Sequence, residues 1–458
     1  MRNSVSRVGA IVAAFCAILI VVISALALAG LAGGLHLKIA AYLILPGVFV
    51  LGLALIPIGL WVQRRRERKA AGSGATPATL PVVDLSSGTT RRTLLLSTLL
   101  GCGAVIILVG AGYQGVEVLE SVEFCSQACH MTMQPEATAH ARSPHANVAC
   151  VTCHVGPGAD WFVKSKINGL WEMVEVATNR FPRPIPTPIH NLRPARVVCE
   201  QCHWPSAFVG DRLVIHTHYG EDAANTQTKT VLMLHVGGQV GSANSGIHWH
   251  VGIGNRIRYL ADPMREAIYT VELTTPDGAQ KIFKNDAVPP VDAQWRTMDC
   301  VDCHNRPAHG FGDPAQEIDA ALDEGLIDTS LPFIKREAVR VLKQQYPSQE
   351  QARSAISRDI TDFFRTSYPD VAAGHASAVS QAGKALGDIW SENVFPQMKV
   401  MWNTYPNHIG HHQSPGCQRC HDNKHVAANG EKISKKCDLC HNVVAEDEAA
   451  PAVLKELE

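Results

Sequence analysis

Six times in this 458-residue chain, a pair of cysteines is followed immediately by histidine. This spacing is typical of c-type haem attachment, in which two thiols form thioethers with the porphyrin and the adjacent histidine ligates the iron. We therefore expect six covalent haem c groups and one-electron chemistry. In chain order, motifs 1 to 6 are Cys125-Ser-Gln-Ala-Cys129-His130, Cys150-Val-Thr-Cys153-His154, Cys199-Glu-Gln-Cys202-His203, Cys300-Val-Asp-Cys303-His304, Cys417-Gln-Arg-Cys420-His421 and Cys437-Asp-Leu-Cys440-His441.

Zinc sites and disulfides are the alternatives, because both use closely spaced cysteines. Neither requires a histidine directly after the second cysteine. Because only 21 of the 458 residues are histidine, chance does not explain a histidine after all six pairs. Motif 1 departs from the common spacing, with three residues between its cysteines. The two remaining cysteines, Cys16 and Cys102, lie in apolar runs and are expected to be small buried side chains.

Three uncharged apolar runs precede the motifs, at residues 8–31, 39–61 and 93–113. Each is long enough to cross about 30 Å of hydrocarbon as a helix. A buried core helix is the alternative for any one of them, but the runs lack a polar face. Pro46 and Pro57 are expected to kink the second span.

Basic residues flank one side of these spans, at Arg2 and Arg7, at residues 64–69, and at Arg91 and Arg92. The positive-inside rule places the N-terminus and the loop 62–92 in the cytoplasm and everything after residue 113 outside. This agrees with haem c attachment, which takes place outside the cytoplasm, and predicts a bacterial inner-membrane protein with a periplasmic haem region. A cleaved signal peptide ending near Ala25-Leu26-Ala27 is the rival for the first span.

Charge differs between the two parts of the chain. Residues 1–113 have a net charge of +8, which leaves −9 for the remainder of a chain whose total is −1. An acidic outer region argues against nucleic acid and favours basic or patchy redox partners.

The predicted fold class is mainly α, with a three-span helical anchor and a loop-rich, haem-packed domain that carries a small β-rich insertion. Residues 161–180 are predicted to form a helix at the membrane interface, or an ordinary packed helix, because Trp and Lys alternate with apolar residues. The tail after residue 443 is acidic and Ala-rich, and is expected to be a short helix. The predicted segments are the anchor 1–113, motifs 1–3 in 114–210, the β-rich insertion 211–295, motif 4 in 296–312, a haem-free helical region 313–400, and motifs 5 and 6 with an acidic tail in 401–458.

Each haem iron has a second axial position, and the ligand there sets the reduction potential of the haem. Histidines outside the motifs are concentrated near them, so about five are expected to be distal ligands. If residues 248–250 form a strand, His248 and His250 share one face. Met131 and Met133 follow motif 1 closely. The two interpretations of these residues are a thioether ligand for the first haem iron and an ordinary packed side chain. The distal candidates are Met133, His145, His190, His250, His309, His408, His411 and His425.

The stretch 124–205 resembles the NapC/NirT/NrfH family of membrane-anchored multihaem quinol dehydrogenases. The resemblance rests on motif 1 with a nearby Met, Ser143-Pro144-His145, motif 2 followed by Gly156-Pro157-Gly158, and Lys164-Ser-Lys166. Residues 183–196 and motif 3 with Trp204-Pro205 are similar to an enlarged subgroup. The family pattern has one span and four haems, whereas this chain has three spans, six motifs and an atypical motif 1.

The resemblance implies that quinol or menaquinol binds at the membrane surface near the first haem. The matching positions are Lys164 or Lys166, with Glu172 or Glu175, and Met133 as the ligand of the first haem. Expected partners are the quinone pool, a periplasmic cytochrome or reductase, and other membrane subunits. A conduit subunit without its own quinol site and a multihaem reductase with one open haem are the alternative functions.

Overall fold

The structure is a computed structural model that describes residues 3–31, 33–70, 85–128, 130–189, 193–204, 207–240 and 243–455. The chain forms two compact units, Met1–Ala128 and Cys129–Glu458. The predicted fold class is confirmed: the protein is mainly helical, with three apolar helices near the N-terminus and small antiparallel sheets.

The helices are α1 (Ser4–Leu28), α2 (Leu35–Ile39), α3 (Leu45–Ala70), α4 (Gly88–Glu120), α5 (His130–Ala141), α6 (Cys150–His154), α7 (Ala159–Ala177), α8 (Ala195–Cys199), α9 (Pro314–Asp323), α10 (Ile334–Leu342), α11 (Gln349–Ser367), α12 (Pro369–Gly374), α13 (Ala376–Asn393) and α14 (Ala452–Lys455). The strands are β1 (Arg212–Tyr219), β2 (Gln227–Leu234), β3 (Gly238–Val240), β4 (Ala243–Ser245), β5 (Arg256–Ala261), β6 (Ile268–Thr274), β7 (Gln280–Lys284), β8 (Gln294–Thr297), β9 (Val426–Ala427) and β10 (His441–Glu448).

Three helical stretches in the first unit are long and apolar enough to cross a membrane: Ser4–Leu28, Leu35–Glu67 and Gly88–Glu120. α1 and α3 pack closely because both carry glycine at the contact, and a Cβ on Gly9 would lie only 2.7 Å from the carbonyl oxygen of Gly52. The second stretch contains a π-helical turn, Ala40–Ile44, immediately before Pro46. Proline has no N–H to donate, so a local change in hydrogen bonding is expected there. Residues 71–84 of the predicted cytoplasmic loop lie outside the described residues.

The haem-free region 313–400 forms the largest apolar core of the second unit. Helices α9, α10, α11 and α13 bury aliphatic and aromatic side chains against one another, with Phe364, Leu386 and Trp390 fully buried. Inside this core, the Lys335 ammonium donates to Asp319 Oδ1 at 2.5 Å and to the Ala315 carbonyl at 2.6 Å. The core therefore gives the second unit a rigid body that does not depend on any cysteine motif.

Two antiparallel sheets frame the motif-bearing loops. One has the strand order β1-β2-β10 and the other β8-β5-β6-β7-β9. β6 and β7 form a hairpin through Pro276-Asp277-Gly278, with Gly278 at a φ of 83°. The helix expected after residue 443 is wrong at its start, because His441–Glu448 is a strand paired with β2 and only Ala452–Lys455 is helical. The β-branched pair Val443-Val444 favours a strand there, and pairing with β2 extends the strand into the acidic residues that follow.

Candidate haem sites

Each described motif occupies a tight helical turn that brings its histidine back over its first cysteine. Motif 2 forms α6, motif 3 follows α8, and motifs 4 to 6 lie on 3₁₀ turns. In motifs 3, 4 and 5 the histidine N–H donates to the carbonyl of the first cysteine, at 2.8, 2.8 and 3.1 Å. The short spacing of the motif thus fixes thiols and imidazole in one local frame.

Motif 1 begins on a π-helical turn, Phe124–Ala128. A π turn closes its hydrogen bond over one more residue than an α turn, so it accommodates an insertion. This is the turn expected for a motif with three residues between its cysteines. Cys129 lies outside the described residues, as do the side chains of His130 and Met131.

In each of motifs 2 to 6, a second imidazole faces the motif histidine. A metal–imidazole bond is about 2 Å long, so two imidazoles on opposite sides of one iron have ring centres roughly 6 Å apart. The observed pairs, with ring-centre distances, are His154–His309 (6.2 Å), His203–His145 (5.9 Å), His304–His248 (6.4 Å), His421–His250 (5.8 Å) and His441–His411 (6.3 Å). At these five motifs the two facing histidines fit the spacing that would hold a haem iron between them.

Four of these second histidines are oriented in the same way. Each has its Nδ1 within hydrogen-bond distance of a backbone carbonyl, which leaves Nε2 for the iron. Metal-ligating histidines commonly use their other nitrogen in this manner, since the hydrogen bond fixes the tautomer and the ring orientation. The contacts are His145 to Pro307 (3.0 Å), His248 to Val236 (3.0 Å), His250 to Ile247 (2.7 Å) and His309 to Glu136 (3.0 Å).

Two of the predicted distal ligands, His408 and His425, have both ring nitrogens engaged with other groups. His408 has its Nε2 at 2.9 Å from Glu266 Oε1 and its Nδ1 at 3.3 Å from the Asp302 carbonyl. His425 is fully buried, with contacts of 3.0 Å to Asp422 Oδ1 and 3.1 Å to the Ile268 carbonyl. Both nitrogens of each ring are engaged, so these histidines hold loops together. The candidate His190 lies outside the described residues.

His248 was missing from the predicted ligands although it faces His304. It shares a 3₁₀ turn, Ile247–Val251, with His250. On a strand the two would point the same way, whereas the turn aims them at different motifs. The pattern His-x-His was visible in the sequence, but the turn that separates the two rings was not.

The cysteines of successive motifs meet in space. The sulfur atoms of Cys199 in motif 3 and Cys300 in motif 4 lie within hydrogen-bond reach of each other. The sulfur atoms of Cys440 in motif 6 and Cys417 in motif 5 do so as well. α6 of motif 2 also packs on α8 of motif 3. The motifs thus follow one another from 2 to 6 in space as they do in sequence.

A buried carboxylate makes the middle of this series rigid. Asp302, within motif 4, accepts hydrogen bonds from the Tyr259 hydroxyl at 2.5 Å and from Arg296 Nε at 2.8 Å. Its backbone carbonyl accepts from Arg419 of motif 5 at 2.5 Å. Burial and the nearby Asp302 carboxylate both raise the pKa of Tyr259, so this hydroxyl remains a donor. Motifs 4 and 5 are therefore fixed to each other and to β5.

The predicted quinol residues all lie on α7. Lys164 Nζ stands 4.8 Å from the Trp161 ring centre, and Lys166 Nζ stands 4.8 Å from that of Phe162. Glu175 accepts a hydrogen bond from Trp171 Nε1 at 2.9 Å. Desolvation, followed by repulsion from the Glu175 carboxylate, raises the pKa of Glu172. The structure brings these residues onto one helix, and Met133 lies half-buried on α5.

A family model described as the N-terminal region of the NapC/NirT cytochrome c family matches residues 88–184. Over 451 residues the chain is 40% identical to the cytochrome c-type protein ImcH of Geobacter sulfurreducens, covering 97% of this chain and 88% of that protein. The chain belongs to the NapC/NirT cytochrome c family. Like other members of this family, it is a membrane-anchored cytochrome c that takes part in electron transfer. No solved structure matches the chain.

The number of haems in this NapC/NirT cytochrome is expected to be six. The intact mass of the purified protein should equal one chain plus six haems, because six thiol pairs carry an adjacent histidine. Replacing Cys125 and Cys129 with alanine should remove one haem mass and leave the other five. A wild-type mass with five haems would show that motif 1 is not loaded.

Proposed function

We propose that this cytochrome oxidises quinol at the outer face of a bacterial inner membrane and delivers the electrons to a periplasmic redox partner. Helix α7 carries this proposal, because it combines a lipid-facing surface with proton-accepting groups. It lies in the segment matched by the family model, which also includes the third apolar helix and motifs 1 and 2.

One side of α7 is apolar and uncovered. Its exposed residues follow helical spacing, and each is between 45% and 65% exposed. An amphipathic helix of this kind lies in the plane of a membrane interface, with its apolar face in the lipid. Quinol is confined to the bilayer and would meet the protein at that depth. The apolar face is formed by Val163, Ile167, Leu170, Trp171 and Val174.

The two lysines flank this apolar face on opposite edges. At 100° per residue, Lys164 lies on the same edge as Glu175, and Lys166 lies on the other edge. Long basic side chains at such edges extend toward headgroups. We therefore assign Lys164 and Glu175 to the quinol pocket, Glu172 to proton acceptance beyond Glu175 on the polar side of the helix, and Lys166 to anchoring of the helix at the interface.

Oxidation of quinol releases two protons as well as two electrons. The raised pKa of Glu172 makes this carboxylate a better proton acceptor than an ordinary surface glutamate, and its acceptor form is lost as the pH falls through that raised value. Lys164 would hydrogen-bond a quinol oxygen. Haem c bound at the motifs would supply carriers of single electrons.

The reductase alternative is less well supported. It requires an iron with an open distal position, whereas at motifs 2 to 6 a second histidine ring stands about 6 Å from the motif histidine. In the conduit alternative, the protein carries electrons in the same way but never binds quinol. Only the role of α7 separates the two functions, so variants of α7 distinguish them.

Replacing Lys164 with leucine should slow reduction of the purified protein by a menaquinol analogue at least about tenfold, since one lost hydrogen bond to a charged donor corresponds to about 1.5–3 kcal/mol. Stopped-flow spectroscopy at the haem absorption bands measures this rate. Reduction by dithionite, which needs no quinol pocket, should be unchanged. Lys166→Leu is the matched control and should retain the quinol rate. An unchanged rate in Lys164→Leu would remove this lysine from the quinol site.

A further inference from the structure

A group of exposed lysines lies beside motifs 5 and 6 and has no role in the sites described above. We call it the lysine patch; it consists of Lys284, Lys424, Lys432, Lys435 and Lys436. Three of them are within five residues of each other in the sequence Lys-Ile-Ser-Lys-Lys, which runs directly into Cys437 of motif 6.

Backbone pairing gathers the patch from separate segments. Lys284 on β7 pairs with Val426 on β9, and Val426 forms a bridge with Lys432. The Lys435 N–H donates to Asn423 Oδ1 at 2.9 Å, which places this lysine beside Lys424. The cluster is therefore built by the fold and held by main-chain contacts.

The positive charge of the patch is not neutralised. Among the described residues, none of its five lysines has a carboxylate within ion-pair distance. Two acidic side chains close to the patch in sequence are engaged elsewhere: Glu431 pairs with Lys281 at 2.9 Å, and Asp422 pairs with His425 at 3.0 Å. The region after residue 113 has a net charge of −9. A positive patch in an acidic domain is a local feature that can orient a partner.

The patch also adjoins the last two motifs of the series. His421 of motif 5 has its Nδ1 at 2.8 Å from the carbonyl of Ser434, which lies next to Lys435. Cys437 is exposed, and so are the apolar side chains Leu439 and Val443. A small apolar area bordered by charge is typical of transient redox interfaces.

We propose that the lysine patch is the docking surface for an acidic one-electron carrier protein that receives electrons from motifs 5 and 6. This deepens the proposed function by naming the kind of partner and the place where it binds. In the exchange, the oxidised carrier gains the one electron that the cytochrome loses, and no proton or bond is involved. The net acidity of the outer region favours basic partners in general, whereas the patch selects an acidic face at this site.

Binding of two probe proteins tests the proposal without relying on electron-transfer activity. Plant plastocyanin carries an acidic surface, and mitochondrial cytochrome c carries a basic one. Surface plasmon resonance on the full haem-loaded protein in zwitterionic nanodiscs should detect plastocyanin binding that weakens with added salt, because about 0.15 M salt reduces the screening length to about 8 Å. The variant K432Q/K435Q/K436Q should bind plastocyanin at least about tenfold more weakly. Its cytochrome c binding should not weaken.

The variant K343Q/K384Q/K399Q removes three exposed lysines from the helical region and serves as the control, with wild-type plastocyanin affinity expected. Equal affinity in both triple variants, or the absence of plastocyanin binding, would overturn the proposal. A third outcome would also overturn it: K432Q/K435Q/K436Q loses binding to anionic phospholipid vesicles but retains binding to plastocyanin. That result would identify the patch as a lipid contact. Reduction by menaquinol should be normal in K432Q/K435Q/K436Q, so failure at the patch and failure at α7 are distinguishable.

Discussion

In a His250→Ala variant, one haem is expected to change from low-spin to high-spin. His250 faces His421 at a ring-centre distance of 5.8 Å, and its Nδ1 lies 2.7 Å from the Ile247 carbonyl, which directs Nε2 toward His421. If His250 is the second ligand of a haem held at motif 5, removal of its imidazole would leave that haem with an open axial position. Electron paramagnetic resonance of the oxidised protein should show a new high-spin signal that corresponds to one haem per chain.

His250→Met and His218→Ala provide the comparison. A thioether at position 250 would restore two axial ligands and raise the potential of that haem, since methionine ligation favours the reduced state. His218 stacks only on His216 and has no motif histidine as a ring neighbour, so its removal should leave the spectrum unchanged. A wild-type spectrum in His250→Ala would show that another group ligates motif 5.

Replacing Asp319 with alanine is expected to destabilise the helical region by about 3–5 kcal/mol, because it leaves a buried ammonium without its partner. Lys335 is only 3% exposed, and Asp319 also accepts a hydrogen bond from the Tyr219 N–H at 3.1 Å. The variant thus loses a charge pair and the link between α9 and β1 together. Faster hydrogen–deuterium exchange in α9 and α10 of the full protein should report this loss.

Asp362→Ala on α11 is the matched control. Asp362 also pairs with a basic side chain, Arg365 at 2.7 Å, but both groups are exposed, and such pairs contribute about 0–1 kcal/mol. Its exchange rates should remain close to those of the wild type. If Asp319→Ala and Asp362→Ala exchanged equally, the buried pair would not be a stabilising element.

The sequence was sufficient for features that depend on short spacing or long apolar runs. The motif histidines, the membrane helices and α7 were predicted because each is defined by neighbours in the chain. His309 and His145 were also among the predicted ligands, since they lie near motifs. Their pairing was not predictable, because His309 faces motif 2 while it follows motif 4.

Predictions from residue type alone were weaker. His408 and His425 resembled ligands by position, but each satisfies two hydrogen bonds in the interior. A histidine can ligate iron only through a ring nitrogen that has no other partner. Whether such a nitrogen exists depends on tertiary contacts. The lysine patch was missed for a similar reason. The net charge of a segment does not show where its charged residues lie on the surface, and Lys284 and Lys432 become neighbours only because both pair with β9.

His309 follows motif 4 in the sequence but faces the histidine of motif 2, and this has a consequence for haem attachment. In the proposed topology the chain would be exported in sequence order, so motif 2 would become available for haem attachment long before His309 does. A haem joined to Cys150 and Cys153 would therefore wait with one axial position open until motif 4 had also been exported. Because ligation and folding are coupled, this region would reach its final shape only after the later segments arrive. Truncated chains that end before His309 should accumulate as protease-sensitive, incompletely ligated intermediates.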